Sequence, residues 1–246
     1  MFTSIWNNIF YKPLLNALAF LVSVVPGADI GLAVVILTVL VKVVLFPLSK
    51  KSIESQAKMK LLEPELKKIK DSGLSKEEQA KKTMELYKTS KTNPFSGCLL
   101  ILIQLPILFA LYRVFFNGSG VGFNLDFLYP FIKLPETISM TFFGLDLQNK
   151  AVLIILAIIT GITQFFQFYY MPKNQMSSGE KGSFQDNLAK SMNMNMKYIM
   201  PIFIAFIAYS TNGAIALYLI TSNIFVTLQQ IAFSKKEDQS LLIKNK

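Results

Sequence analysis

The sequence predicts an all-α integral membrane protein with five transmembrane helices, a cytoplasmic helical hairpin and an N-terminal interfacial amphipathic helix. The first observation is that charged residues make up only 16% of the 246 residues, whereas about 25% is usual in soluble domains. The second is that the apolar residues are gathered into long stretches without charge. The third is that the lysines are concentrated in only some of the segments between those stretches, as expected for a membrane protein.

Residues 1–29 are predicted to form an extracytoplasmic N-terminal segment that contains the amphipathic helix. Its apolar positions recur at helical spacing and are Trp6, Ile9, Phe10, Pro13, Leu14, Ala17 and Leu18. Such a helix is expected to lie flat at the outer membrane interface, and Pro26-Gly27 ends it. The alternative is an additional partial crossing by residues 14–25.

The apolar stretches have the lengths that membrane crossings need. A helix rises about 1.5 Å per residue and the hydrocarbon core is about 30 Å thick, so one crossing needs about 20 residues. The last block, Tyr198–Phe233, has 36 residues without a charge, and the turn signal Asn212-Gly213 divides it. The predicted spans are residues 30–48, 95–116, 151–170, 196–210 and 214–233. A soluble all-helical protein is the alternative, but its helices would carry a polar stripe, and these do not.

The lysine distribution predicts the orientation of the chain, because cytoplasmic segments of membrane proteins are enriched in Lys and Arg. Segment 49–93 carries 12 Lys, whereas loop 117–150 carries two. The loop 171–195 carries three and the tail 234–246 carries four. Five crossings place the Lys-rich segments in the cytoplasm and the N-terminus outside. This orientation explains the net charge of +10 without nucleic-acid binding, which is the usual alternative for a basic protein.

Segment 49–93 is predicted to form the cytoplasmic helical hairpin. Ser75 and Glu78 have the spacing of a capping box, and Gly73 suits the end of the preceding helix. Pro64 is expected to kink or restart the first arm. The hairpin is either a solvated connector or a contact surface for partners and arriving chains.

Lys42 is the residue that is hardest to place in lipid. It lies about 9 Å from the inner end of its predicted span, and a Lys within the helix core costs about 2.5–3.5 kcal/mol on insertion scales. Such a residue faces a water-filled cavity or bends toward the headgroups, and its position alone does not separate the two. A cavity is favoured by the other polar residues of the spans: Gln104, Gln164, Gln167, Ser222, Asn223 and Gln229. Arg113 is expected to extend outward from its span.

The composition excludes several function classes. The chain has no His and a single Cys, Cys98, so His-based catalysis, a thiolate metal cage and an intrachain disulfide are excluded. No predicted span contains Asp or Glu, which argues against a proton-coupled pump. We therefore expect no enzyme activity, no metal and no cofactor. A small transporter or channel and a membrane scaffold that recruits partners through the hairpin are the alternatives.

Several short motifs occur in one order along nearly the whole chain. They are 42–48 (KVVLFPL), 59–65 (MKLLEPE), 93–98 (NPFSGC), 102–107 (LIQLPI), 144–147 (GLDL), 200–201 (MP), 217–218 (LY) and 222–223 (SN). In this order, with the basic hairpin between the first two spans, the sequence resembles the YidC/Oxa/Alb family of membrane protein insertases. The layout is similar to that of the compact bacterial members.

The resemblance implies a five-helix bundle around an inner-side hydrophilic groove, open to the cytoplasm and lipid and closed outside. Members carry a basic residue, usually Arg, in the first span, and Lys42 occupies the matching place; it lacks the planar fork with which Arg binds carboxylates. Leu100 stands where the family usually has Pro, and the last turn reads Asn212-Gly213-Ala214. The residues expected to line the groove are Thr38, Lys42, Gln104, Gln164, Gln167, Tyr218, Ser222 and Asn223.

The resemblance also implies a function and its partners. The protein is expected to insert and help fold integral membrane proteins and lipoproteins, alone or with the Sec translocon, in the bacterial cell (inner or plasma) membrane. Its expected partners are nascent membrane proteins, the ribosome and the lipid bilayer, without recognition of a nucleic-acid sequence. The basic residue would attract acidic or polar parts of an arriving chain, because moving such groups through lipid is expensive.

Overall fold

The structure is a computed structural model that describes residues 4, 6–93, 96–116, 123–171, 191 and 194–244. The described residues are mainly helical, which agrees with an all-α membrane protein. The α-helices are α1 (Lys12–Val24), α2 (Ile30–Val44), α3 (Phe46–Leu61), α4 (Glu63–Lys70), α5 (Lys76–Thr89), α6 (Ser96–Phe116), α7 (Lys150–Tyr170), α8 (Met200–Ser210) and α9 (Gly213–Lys244). Most of the predicted loop 171–195, with Lys173, Lys181 and Lys190, lies outside the described residues, as do Pro94 and Phe95 of the 93–98 motif.

Short elements connect or extend the helices. A short π-helical segment, Asn7–Tyr11, precedes α1, and another, Asn195–Ile199, precedes α8. Short 3-10 helices lie at Pro26–Ala28 and Leu125–Phe127. The loop between α6 and α7 contains an antiparallel hairpin of β1 (Thr141–Phe142) and β2 (Leu145–Asp146), which the sequence reasoning did not predict.

Among the described residues, two helices are long and apolar enough to cross a membrane. They are α7 and the Gly213–Phe233 part of α9, and a third crossing results if α2 and the Phe46–Met59 part of α3 count as one broken span. Gln104–Phe115 in α6 is a shorter apolar helix. Five crossings therefore stay a prediction.

The first predicted span differs from the helix that is observed. We expected one span over 30–48, but α2 ends at Val44 and α3 begins at Phe46. Pro47 explains the break, because in a continuous helix it could not donate to the Val43 carbonyl and its ring would crowd that group. The last helix differs in the opposite direction, since α9 continues to Lys244 through the segment that we expected to be a tail.

The chain divides into two compact units. The first contains Met1–Leu45, Ile101–Gln164 and Ile202–Phe225, and the second contains Phe46–Leu100, Phe165–Pro201 and Val226–Lys246. The core of the first unit is apolar and draws on α1, α2, α6 and α9. Fully buried members from these four helices include Leu15, Leu18, Val34, Ala110 and Ala216. The apolar face of α1 is thus packed into the unit.

The hairpin of the second unit follows the sequence prediction closely. The Ser75 hydroxyl accepts a hydrogen bond from the Glu78 N–H at 3.3 Å, and the Glu78 carboxylate accepts from the Ser75 N–H at 3.1 Å. The capping box is therefore confirmed, and the hydrogen bonds from Ser75 lower the pKa of the Glu78 carboxyl. Pro64 lies in the first turn of α4, so the first arm restarts there. Gly73 has a φ of +67°, which suits the turn between the arms.

Candidate functional site

Three polar side chains from three helices meet inside the first unit. The Lys42 Nζ of α2 donates a hydrogen bond to the Gln104 Oε1 of α6 at 2.7 Å. The Gln104 Nε2 donates to the hydroxyl of Tyr218 in α9, and Tyr218 is buried. We call Lys42, Gln104 and Tyr218 the polar chain. It joins residues that are 62 and 114 positions apart in the sequence.

The chemistry of Lys42 fixes the direction of every bond in the polar chain. An ammonium group has only donors, so the Gln104 amide must present its oxygen to Lys42. The amide nitrogen then faces Tyr218, whose oxygen must accept. The Tyr218 hydroxyl hydrogen and the two other N–H groups of Lys42 have no acceptor among the described residues and so remain as donors. In the described part of the chain Lys42 has no carboxylate within ion-pair distance. The polar chain therefore suits a ligand that supplies acceptors, such as a peptide carbonyl or a carboxylate.

Thr38 lies one helical turn before Lys42 and is buried on the same face of α2. Its hydroxyl donates to the Val34 carbonyl at 2.6 Å. This bond is made within the helix and uses the only hydrogen of the Thr38 hydroxyl. Thr38 therefore places a small buried side chain beside Lys42 but offers no further donor.

The other predicted groove residues fall into two groups. In the first unit, Asn223 Nδ2 donates to the Thr163 hydroxyl at 3.2 Å, which links α9 to α7. Ser222 and Gln164 are buried in the same unit, and Ser222 lies one turn after Tyr218 on α9. Gln167 instead belongs to the second unit, and its Oε1 is buried with no hydrogen-bond partner among the described residues.

The second unit contains a buried polar seam that the sequence reasoning missed except for Gln229. Ser49 Oγ on α3 donates to Gln229 Oε1 on α9 at 3.2 Å, and Gln56 Nε2 donates to Ser52 Oγ at 3.3 Å. All four side chains are buried. The spacing of Ser49, Ser52 and Gln56 on one helix face was the available signal. The Nε2 of Gln229 has no partner among the described residues.

Arg113, which we expected to extend outward from its span, contacts the N-terminal segment. Its guanidinium carbon lies 4.5 Å from the centroid of the Tyr11 ring, and its Nη1 donates to Asn7 Oδ1 at 3.0 Å. These contacts hold Arg113 against the N-terminal segment, because a cation over an aromatic face and a hydrogen bond replace the water that it would otherwise seek. These contacts join residues about a hundred positions apart in the sequence, so no local sequence pattern could predict them.

This chain is similar to known proteins over most of its length. The family described as 60Kd inner membrane protein matches residues 20–240. A Bacillus anthracis protein named membrane protein insertase YidC 1 is 32% identical over 240 residues, which cover 95% of this chain and 83% of the relative. A Fusobacterium nucleatum protein named membrane protein insertase YidC is 32% identical over 229 residues, 92% of this chain and 97% of the relative. An Oceanobacillus iheyensis protein of the same name is 31% identical over 239 residues, 94% and 84% respectively.

Proposed function

Because the chain belongs to the 60Kd inner membrane protein family, we propose a mechanism that takes membrane protein insertion as its premise. The resemblance drawn from the motifs is confirmed: the protein is a bacterial inner-membrane insertase, and its substrates are nascent membrane proteins. The names of its relatives describe insertion, with no catalytic activity. The proposed mechanism uses the donors of the polar chain to lower the cost of bringing polar parts of a client into the membrane.

The polar chain is the proposed contact site for the arriving polypeptide. Moving a polar group into lipid without a hydrogen-bond partner costs several kcal/mol of free energy, and moving a charged group costs more. The free donors of Lys42 and Tyr218 would bind peptide carbonyls or acidic side chains and so lower this barrier. Gln104 is hydrogen-bonded to both residues and so keeps the two donors close to each other. The single observation that carries the proposal is a lysine on an apolar helix whose only described partner is a neutral amide.

The proposed groove extends from the polar chain to the neighbouring buried polar residues of the first unit, Thr38, Gln164, Ser222 and Asn223. Small hydroxyl and amide groups at these positions would keep the region wettable while apolar parts of the client move into lipid. We place Gln167 in the same groove on sequence grounds alone. The groove is proposed to open toward the cytoplasm.

The proposed topology has five crossings, the N-terminus outside and the C-terminus in the cytoplasm. Its support is the contrast between the 12 Lys of segment 49–93 and the two of loop 117–150. The amphipathic α1 is proposed to lie along the outer interface, packed by its apolar face into the first unit.

The ribosome and the Sec translocon are the proposed delivery partners, and lipoproteins are proposed as further clients. The exposed lysines of the hairpin, such as Lys67, Lys81 and Lys82, suit the phosphate groups of ribosomal RNA as a sequence-independent contact. Family membership is the support for the Sec translocon and for lipoproteins.

Depletion and complementation test the proposal. The chain is expressed in cells depleted of their own insertase, and insertion of short client proteins is measured by protease protection. We expect restored insertion by the wild-type chain and by Lys42→Arg, and none by Lys42→Glu. If Lys42→Ala is silent while deletion of residues 55–88 abolishes insertion, the protein works as a scaffold. Substrate-dependent flux in liposomes without client crosslinks would instead indicate a transporter.

A further inference from the structure

Asp29 makes two different kinds of contact with its two carboxylate oxygens. Oδ1 accepts from the Leu32 N–H at 2.9 Å, which caps the start of α2. Oδ2 accepts from the Phe143 N–H at 2.8 Å, and the Thr141 hydroxyl lies 3.4 Å from the same oxygen. Asp29 is buried, with 8% of its surface exposed. One side chain thus joins the helix start to a hairpin 114 positions away.

Backbone hydrogen bonds run beside this carboxylate. The Ile30 N–H donates to the Ser139 carbonyl at 3.0 Å, and the Ser139 N–H donates to the Ala28 carbonyl at 3.1 Å. Asp29 and Ser139 thereby form a parallel bridge. The segment that leads into β1 is therefore tied to the residues that lead into α2.

The turn that Asp29 holds contains a strained residue. Phe143 and Gly144 have φ values of +49° and +83°, the left-handed combination of the tight turns that suit two-residue hairpins. Gly adopts it freely, but for a residue with a Cβ this region is unfavourable, because the Cβ comes too close to the following carbonyl oxygen. The bond from the Phe143 N–H to Asp29 is therefore made at the position where the hairpin is least stable on its own.

Two glycines allow the hairpin region to pack closely on α2 and on the start of α9. A Cβ on Gly31 would lie 2.7 Å from the Phe142 Cβ and 2.8 Å from the Thr141 carbonyl oxygen. A Cβ on Gly213 would lie 2.8 Å from the Leu147 oxygen, which accepts a hydrogen bond from the Gly213 N–H at 3.1 Å. Leu217 is buried next to Gly31 and directly precedes Tyr218 of the polar chain.

We propose that Asp29 is a positioning residue that latches the β1–β2 hairpin over the ends of α2 and α9 and thereby closes the polar chain off from the outside. This inference rests on the proposed orientation and function, since a hydrated site within a membrane must be closed at one end to prevent leakage. The latch has two separable parts. The Oδ1 bond serves the helix, and the Oδ2 bond serves the closure.

Asp29→Asn separates the two parts. Asn caps a helix about as well as Asp, so α2 keeps its cap. The amide nitrogen that replaces the second oxygen cannot accept from the Phe143 N–H, so the hairpin is released. The reporter is Leu217→Cys in a Cys98→Ser background, labelled with a membrane-impermeant maleimide from either side of oriented vesicles. Asp146→Asn is the matched control, because that exposed carboxylate in the same hairpin accepts from the Gln148 N–H, two residues away.

We expect the reporter thiol at position 217 to be protected from the outside when Asp29 is present, and labelled about tenfold faster or more in Asp29→Asn, as loss of one charge-assisted hydrogen bond predicts. Asp146→Asn should leave the protection unchanged. Protection that stays at the wild-type level in both Asp29→Asn and Asp29→Ala would overturn the latch. Client insertion is measured with the wild-type chain in the same vesicles. A wild-type chain that inserts no client, while the labelling result holds, contradicts the proposed function and leaves the latch standing.

Discussion

Lys42 and Asp29 lie near opposite ends of the same helical stretch, and they use hydrogen bonds in opposite ways. Both oxygens of Asp29 accept from backbone N–H groups, at 2.9 and 2.8 Å. Lys42 has three donors, and its one described hydrogen bond is to the Gln104 side chain at 2.7 Å. A polar group whose bonds are filled by the backbone holds structure. A polar group with donors to spare can bind a ligand.

The partners of the two residues differ in the same sense. The backbone N–H groups that Asp29 accepts from are fixed by the helix and the turn that carry them. Any other position of the Asp29 side chain would therefore lose these hydrogen bonds. The amide of Gln104 is at the end of a flexible side chain, and the Lys42 ammonium is at the end of a longer one. The site around Lys42 can therefore adapt to acceptors at different heights, as clients of different sequence would require.

Charge reversal at Lys42 should have the largest effect. Lys42→Glu replaces three donors by acceptors, places the Gln104 oxygen against a carboxylate and repels acidic client segments. We expect client insertion in complemented cells to fall by more than about tenfold, as the penalty for an unmatched charge within a span implies. Lys42→Arg is the control and should keep most of the activity. Equal insertion by the Glu variant would show that hydration of the groove, rather than its charge, is what matters.

Gly31→Ala should have the next largest effect, at the Asp29 end. The added Cβ would lie under 3.0 Å from Phe142 and Thr141, and both contacts involve atoms on or next to the backbone, which cannot rotate away. We expect a loss of about 1–3 kcal/mol of stability, the usual range for overpacking, measured by thermal unfolding in detergent. An unchanged melting temperature would mean that the hairpin is loosely packed on α2.

Tyr218→Phe tests the far end of the polar chain more gently. It removes one hydroxyl, and with it the acceptor of the Gln104 amide and one free donor. A single neutral hydrogen bond contributes about 0.5–1.5 kcal/mol, so client insertion should fall roughly two- to tenfold. Tyr209→Phe, on the exposed face of α8, is the matched control. If both variants behave alike, the Tyr218 hydroxyl has no part in client contact.

Ser75→Ala should have the smallest effect on insertion. It removes the capping box of α5, whose bonds are all internal to the hairpin. We expect about 1 kcal/mol less local stability, visible as faster amide hydrogen exchange in residues 76–79, and unchanged client insertion. A loss of insertion would give the hairpin an active part and weaken the distinction between filled and unfilled polar groups.

The sequence could predict the features that depend on neighbouring residues. Apolar length and spacing predicted a mainly helical chain, the spacing of Ser75 and Glu78 predicted the capping box, and Pro64 predicted that the first arm kinks or restarts. Lys42 and Gln104 were selected because each is conspicuous in an apolar segment. Their direct hydrogen bond needed the fold, since spacing along the chain carries no information about which helix faces which.

The features that escaped prediction depend on contacts across the fold. The bond between Asp29 and Phe143 joins an ordinary helix cap to a turn whose Phe is an unusual choice for a left-handed position. Arg113 is held by Asn7 and Tyr11, which lie far away in sequence. The break at Leu45 was missed for a different reason, because the local effect of Pro47 was outweighed by the continuous apolar run.

Photocrosslinking from position 218 tests most directly whether the polar chain contacts the client. Tyr218 is replaced by a photoreactive phenylalanine derivative, and the chain is presented with a ribosome-stalled client segment. Position Ile158, exposed on α7, carries the same group as the control. We predict that position 218 crosslinks to the client, more strongly when the client segment carries an acidic residue, and that position 158 gives a clearly weaker client adduct. Absence of a client adduct at 218, or equal adducts at both positions, would contradict a client-binding role for the polar chain.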